Sequence, residues 1–381
     1  MKKVNLLSIL VIGLAVSCKK EAKIASNDAN EQNKDSQLSV FQDRKIIENP
    51  MIEIGKGSNL NFSQLLNNQK ASSGIVRDSV WSNNEGKTVF VETDDVMVSN
   101  ENWDLAYPGA IFNSKSIVNG YLFNPLSVRD YDPLPIRASL SIPGTNVGGT
   151  IENPDISSAR DFVGQVIARQ GTVPQINSFS YTSNQFTDYN ELKYTFGANV
   201  DIGKIVSIGV NGGGTKIKAR TGVIAKFVQE NFTVDMSLPK KTELISVSDA
   251  NSLMGEYAPV YVNSVTYGRF GVFMAETDAS YQDFNVAFKA GLNIGIVKSD
   301  INVTSAQKEL LDKAKITIYM KFGPGQAYVA TVNGYDAFKN AILAGASVTS
   351  DSYGGPISFR MRNLKNFALF KTIFKINLAN N

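Results

Sequence analysis

Residues 196–228 read FGANVDIGKIVSIGV, then NGGG, then TKIKARTGVIAKFV, and the spacing of their apolar residues decides how the chain is built. In the first arm Phe196, Ala198, Val200, Ile202, Val206, Ile208 and Val210 share one parity, and Gly197, Asn199, Asp201, Gly203, Ser207, Gly209 and Asn211 share the other. Only Lys204 and Ile205 break the rule. A period of two is the signature of a strand, whose successive side chains point to opposite faces. After the glycines, Ile217, Ala219, Val223, Ala225 and Phe227 take one parity and Lys216, Lys218, Arg220, Gly222 and Lys226 the other. The pattern predicts a β-hairpin with one apolar and one wet face. Each arm has room for about 11 to 15 residues, roughly 35 to 50 Å of extended chain, where a tilted membrane-crossing strand needs about 9 to 11. A half-buried hairpin in an ordinary antiparallel sheet has the same alternation, although strands there are commonly about 5 or 6 residues long.

A second alternating stretch favours the membrane reading. Phe284, Val286, Phe288, Ala290, Leu292, Ile294 and Ile296 alternate with Asn285, Ala287, Lys289, Gly291, Asn293 and Gly295. Further on, Ile316, Ile318, Met320 and Phe322 alternate with Thr317, Tyr319 and Lys321.

With 381 residues, 43% hydrophobic and 19% charged, the chain can bury a sizeable core in more than one domain. A net charge of +3, with basic residues spread along the chain, gives no reason to expect nucleic acid as a partner. Absences narrow the chemistry further. There is no histidine, hence no imidazole base and no His metal site, and the single cysteine, Cys18, excludes an intrachain disulfide. No two carboxylates are spaced around a plausible cleft. The run GVNGGGTK at 209–216 fails as a phosphate loop, because Thr215 and Lys216 stand in the wrong order, and reads as a turn. No enzyme, cofactor or metal is expected.

Residues 1–17 carry Lys2 and Lys3 and then LLSILVIGLAV, an export signal too short for a stable membrane span. Ala15-Val16-Ser17-Cys18 matches a bacterial lipobox, so Cys18 is expected to carry a lipid as the mature N-terminus of an exported outer-membrane or cell-surface lipoprotein. Residues 18–48 are then the lipidated tether, their Lys, Glu, Asn, Asp, Gln and Ser content too polar to offset the entropy of ordering. Strand-like runs at 88–92 and 136–142 and an amphipathic helix at 157–169, with Phe162, Val163, Val166 and Ile167 on one face behind a cap at Ser157 or Ser158, give α+β patterning.

Four separated motifs resemble the cholesterol-dependent cytolysin, or thiol-activated cytolysin, family, and they occur in that family's order. These are Tyr107-Pro108-Gly109-Ala110 followed by PIRASLSIPG at 135–144; SYTSNQFTDYNELKYTFGANV at 180–200; VNSVTYGRFGVFMAET at 262–277; and GGPISFRMRNL at 354–364. The resemblance implies an α+β fold of MACPF/CDC type. Its centre is a bent, twisted antiparallel four-stranded sheet, flanked by two helix clusters that can become transmembrane β-hairpins. It divides the chain into a core of 75–178 with 235–277, a hairpin-bearing unit of 179–234 with 278–350, and an elongated β connector of 49–74 with 351–381. SAQKELLDKAK at 305–315 suits the helical state, whereas the glycines of 196–214 cost about 1 kcal/mol each in a helix.

Departures from the family matter as well. The chain ends at Asn381, so the family's fourth, membrane-recognition domain is expected to be absent, and cholesterol binding is not carried over. The hinge glycines fall at Gly323 and Gly325 around Pro324, and Tyr181 falls at an aromatic used between subunits, facing Ile316 at the partner position. The function implied is a pore-forming subunit that assembles with copies of itself into a ring on a lipid bilayer. A longer homologue carrying the missing domain, or the lipid anchor itself, would then recognise the membrane. Its lipid-facing residues would be Phe196, Ala198, Val200, Ile202, Val206, Ile208, Val210, Ile217, Val223 and Phe227, and in the second hairpin Phe284, Val286, Phe288, Leu292, Ile294, Ile296, Ile316, Ile318 and Met320. A non-lytic surface lipoprotein using the same fold for adhesion or scaffolding stays open at this point, motivated by the glycine-rich first segment and the altered glycine pair.

Overall fold

Two long antiparallel strands, residues 221–236 and 260–277, form the spine of the molecule. The computed structural model describes residues 43–48, 50–54, 74–81, 85–98, 102–118, 123–126, 133–170, 178–186, 217–239, 244–246, 248–249, 255–297, 299, 302–321, 328–344 and 353–379. In chain order these form β1 (Met51–Ile54), β2 (Gly74–Val80), β3 (Gly86–Thr93), β4 (Asp95–Met97), β5 (Ile111–Phe112), the short helix α1 (Ser114–Val118), β6 (Ile136–Leu140), β7 (Gly148–Ile151) and helix α2 (Ile156–Gln170). Then come β8 (Ser178–Phe186), the spine strands β9 (Thr221–Met236) and β10 (Val260–Thr277), helices α3 (Tyr281–Val297) and α4 (Ser305–Asp312), β11 (Lys315–Lys321) and β12 (Tyr328–Asn333). Helix α5 (Tyr335–Leu343), β13 (Gly355–Asn363) and β14 (Thr372–Ala379) complete the order.

Both spine strands exchange outer neighbours at the same level. β9 pairs with β6 through Val234–Met236 and with β8 through Gly222–Glu230. On the opposite edge of the pair, β10 lies beside β13 through Val260–Gly268 and beside β11 through Phe270–Glu276. One half therefore joins the core sheet, and the other is the four-stranded antiparallel sheet β8-β9-β10-β11, to which β12 adds a fifth strand on the outer side of β11. The exchange coincides with a register shift in each pairing of β10, between Thr266 and Tyr267 toward β13 and between Tyr267 and Gly268 toward β9. Glycine is required there by space. A Cβ on Gly268 would lie 1.9 Å from the Gln229 carbonyl oxygen, and Gly354, at φ +84°, brings its own Cβ position to 2.6 Å from the Gly268 carbonyl oxygen.

The core half packs as the sequence suggests. Phe162, Val163, Val166 and Ile167 of α2 are all buried against residues of β6, β9 and β10. Its cap is Asp155 rather than Ser157 or Ser158: the Asp155 carboxylate accepts the Ser158 N–H at 2.6 Å. The helix begins at Ile156, directly behind Asp155, so both serines already lie in its first turn.

A smaller sheet, ordered β1-β14-β3-β2, stands apart from the spine. Its N-terminal strand β1 runs parallel to β14. Residues 43–48, at the end of the stretch read as a tether, lie against the body: Lys45 bridges Tyr257 and pairs with Glu256, and Lys365 donates to the Arg44 carbonyl at 2.7 Å. A polar chain then runs from Trp81, directly after β2, across the other three strands. Trp81 Nε1 donates to Thr88 Oγ1 (2.7 Å), Thr88 to Asn377 Oδ1 (2.9 Å) and Asn377 Nδ2 to Glu53 Oε1 (2.8 Å), and Lys375 Nζ lies 3.0 Å from the same Glu53 oxygen. The nearly buried Lys375, helped by Asn377, holds the Glu53 carboxyl below the usual carboxylate range. A carboxylate whose folded-state pKa is lowered adds stability above its unfolded pKa and loses it as pH falls through the folded value. Urea unfolding is therefore expected to show acid destabilisation that Glu53→Gln reduces. Equal acid sensitivity in both proteins would rule the pairing out as a contributor.

Candidate membrane-inserting face

Nine of the apolar residues expected on the hairpins lie together in one cluster on one face of the four-stranded sheet. Val223 and Phe227 of β9, Ile316, Ile318 and Met320 of β11, and Phe284, Phe288, Leu292 and Ile294 of α3 are buried in a single cluster. Phe273 and Ala275 of β10, Leu311 of α4, and Tyr335, Phe338 and Ile342 of α5 also belong to it. A ladder of rings crosses it, with centroids 5.6 Å apart for Phe284–Phe288, 5.4 Å for Phe288–Phe338, 5.4 Å for Phe338–Phe273 and 5.1 Å for Phe273–Phe227. Three helices thus cover the face that the alternation predicts for lipid.

The stretch 284–296, which alternates as a strand would, lies in helix α3. Its helical state is locally encoded: Ser280 Oγ accepts the Asp283 N–H at 3.2 Å and donates to the Asp283 carboxylate at 2.6 Å. Helix α4 opens with a complete capping box between Thr304 and Gln307. In α3 the buried positions are Phe284, Ala287, Phe288, Gly291, Leu292 and Ile294, spaced as one helical stripe. Phe284, Phe288, Leu292 and Ile294 belong to this stripe and to the strand parity alike. Val286 belongs to the strand parity alone, and it is 59% exposed.

Other expected residues are placed differently. Tyr181 sits on β8 opposite Phe227 of β9, whereas Ile316 lies at the other edge of the four-stranded sheet, so within one molecule the two cannot meet. Ile217 precedes β9 and packs, half-buried, against a second cluster containing Phe186, Ile224, Phe270, Val272, Met274 and Tyr319. That cluster corrects the expectation of a wholly wet second face. Met97 of β4 and Ile357 of β13 cover part of it, Ile224 is buried there, and Lys226 is half-buried with its ammonium 5.6 Å from the Phe270 ring. Ile296 lies near the end of α3. Cys18, Phe196, Ala198, Val200, Ile202, Val206, Ile208, Val210, Gly323 and Gly325 lie outside the described residues.

The edges of the four-stranded sheet are unequal. The outer edge of β8 pairs with no strand among the described residues, whereas β11 is covered by β12 from Lys315 to Met320. The sequence reading missed β12 and α5, although Tyr335, Phe338 and Ile342 carry a legible i, i+3, i+7 stripe behind Gly334. Among the described residues no three His, Cys, Asp or Glu side chains gather as a metal site, and no helix is long and apolar enough to cross a membrane.

Comparison with known proteins places this geometry. Pneumolysin of Streptococcus pneumoniae is 24% identical over 301 residues, covering 74% of this chain and 61% of that protein. Tetanolysin of Clostridium tetani is 24% identical over 304 residues, covering 74% of this chain and 55% of that one. The chain thus spans little more than half the length of these relatives. A solved structure of pneumolysin superposes with a TM-score of 0.67 at 20% identity, covering 91% of this chain and 74% of that one, which establishes the α+β cytolysin fold. The sequence profile of the thiol-activated cytolysins matches residues 76–373, and the chain belongs to that family, whose members are pore-forming cytolysins and not enzymes.

Proposed function

We propose that this chain is a subunit of a β-barrel pore: it assembles with copies of itself into a ring on a bilayer, and two segments of each copy refold as amphipathic hairpins. The observation that carries the reading is the double stripe of α3. A β-branched residue is a mediocre choice for an exposed helix position, yet Val286 completes the apolar face once 284–296 is extended. For Phe284, Phe288, Leu292 and Ile294 the change exchanges one apolar surrounding for another, so the burial worth about 1.5–3 kcal/mol for each large side chain is largely retained. The backbone decides the rest. A lone hairpin in hydrocarbon leaves N–H and C=O groups unpaired along its edges at several kcal/mol each, so insertion requires neighbours that close the sheet. The outer edge of β8, unpaired among the described residues, is available to a neighbour at once, and the edge of β11 only after β12 departs.

In this reading Lys289 and the other polar parity line a mildly basic lumen, and Cys18 carries the lipid that anchors the exported protein at the cell surface. Recognition of the target bilayer falls to that anchor or to a longer homologue carrying a membrane-recognition domain. Dye leakage from liposomes, with electron microscopy of the same bilayers, tests the proposal in the presence and absence of such a homologue. Rings accompanied by leakage support it. Their absence in every arm contradicts it and favours the adhesion or scaffolding role.

A further inference from the structure

The segment Tyr267-Gly268-Arg269 lies where β10 changes neighbour from β13 to β11, and the pore reading gives Arg269 no task. Its side chain is 2% exposed, an unusual setting for a guanidinium. No carboxylate pairs with it among the described residues, and burial pushes its pKa down to about 10. Its acceptors are instead the Gln229 side-chain oxygen, 2.5 Å from Nε, and two carbonyls that face one terminal nitrogen, Ile342 at 2.7 Å and Ala344. The second terminal nitrogen is buried without a partner among the described residues. The face of the group lies 5.5 Å from the Phe227 ring, at the end of the phenylalanine ladder.

Ile342 and Ala344 stand at the carboxyl end of α5, where helix carbonyls lack intrahelical partners and a cation is favoured. One residue, Gly334, separates α5 from β12, the strand that covers the outer edge of β11. We infer that Arg269 is a latch, a positioning residue whose hold on the end of α5 keeps β12 seated on β11. The latch is poised rather than tight. If α5 swings away, the guanidinium exchanges two carbonyls for water, and its orphan N–H groups gain partners they lack in the closed state. The significance of freeing β11 rests on the pore reading, but the latch itself is a property of the soluble protein.

Hydrogen exchange on the protein in solution, without lipid, tests it. Arg269→Lys keeps the charge and loses the fork, and Arg269→Met keeps the length and loses both. Each is expected to speed amide exchange in β12 and α5 by about tenfold or more, a loss of about 1.4 kcal/mol of local protection, while β3 and β14 exchange as before. Gln229→Ala, which frees Nε alone of the guanidinium nitrogens and also gives up the Gln229 Nε2 donation to Asn231 Oδ1, is expected to act in the same places by a smaller factor and gives the readout if Arg269→Met fails to fold. Unchanged exchange in β12 and α5 would overturn the latch, and so would an even rise through both sheets. Loosened β12 with unaltered ring assembly on bilayers would leave the latch standing and count against β11 as the assembling edge.

Discussion

A disulfide joining Thr317→Cys on β11 to Thr331→Cys on β12 is expected to abolish leakage, and a reductant is expected to restore it. The two threonines face each other directly in the antiparallel register. Opposed residues in such a pair have Cα atoms about 4.5–5.5 Å apart, inside the roughly 4.4–6.8 Å that a disulfide spans. The bond asks for no change in the resting molecule. It does prevent β12 from leaving, so the outer N–H and C=O groups of β11 stay paired internally and no neighbouring copy can join there. An unclosed barrel edge costs several kcal/mol for each unpaired group in hydrocarbon, so the oxidised protein should leak on the order of 100-fold less than the reduced one. The single-cysteine variants are the controls. Equal leakage before and after reduction would mean that β11 is not an assembling edge.

Val286→Arg is expected to separate folding from insertion. Val286 is 59% exposed on α3, and a surface substitution of this kind usually changes stability by no more than about 0.5 kcal/mol, so the unfolding midpoint should hardly move. In the proposed inserted strand the same residue would face lipid, where an arginine costs about 2–4 kcal/mol near the bilayer midplane, once for every copy in the ring. Leakage should fall by tenfold or more. Asn293→Arg is the matched control. Asn293 is also exposed on α3 but has the opposite parity, so it would line the lumen and tolerate the charge. If the two variants leak alike, the strand parity has no functional meaning.

The parts of this fold that the sequence displays are those whose burial is set locally. The α2 stripe of Phe162, Val163, Val166 and Ile167 is visible because one side of a helix faces the core. The alternation of Ile316, Ile318 and Met320 shows β11 for the corresponding reason in a strand. β10 shows no alternation, because partners on both faces bury almost every residue along it, and it was legible only through the family motif at 262–277. The cap of α2 was misplaced by two or three residues, since serines and aspartate compete for that position and the helix start decides among them. What could not be read at all is which strand edge is covered. The seating of β12 on β11 and the grip of Arg269 on α5 are long-range arrangements that leave no periodic trace in Tyr267-Gly268-Arg269.

The α3 stretch is the most instructive case, because two periods are superposed in one segment. Its helical stripe and its strand parity share Phe284, Phe288, Leu292 and Ile294, so an alternating pattern correctly predicts amphipathicity and leaves the resting conformation undecided. The caps at Ser280 and Thr304 and the phenylalanine ladder select the helix in solution.

A scan of single cysteines through residues 284–294, each labelled with a polarity-sensitive dye and read in solution and on bilayers, addresses the refolding directly. In solution the apolar signal should follow the helical stripe, high at 284, 287, 288 and 291 and low at 286. On membranes it should change to every second residue, with 286 turning apolar and 287 and 291 turning wet. A pattern that keeps its helical period on bilayers while the same samples leak would contradict the conversion of α3 into a membrane-spanning strand.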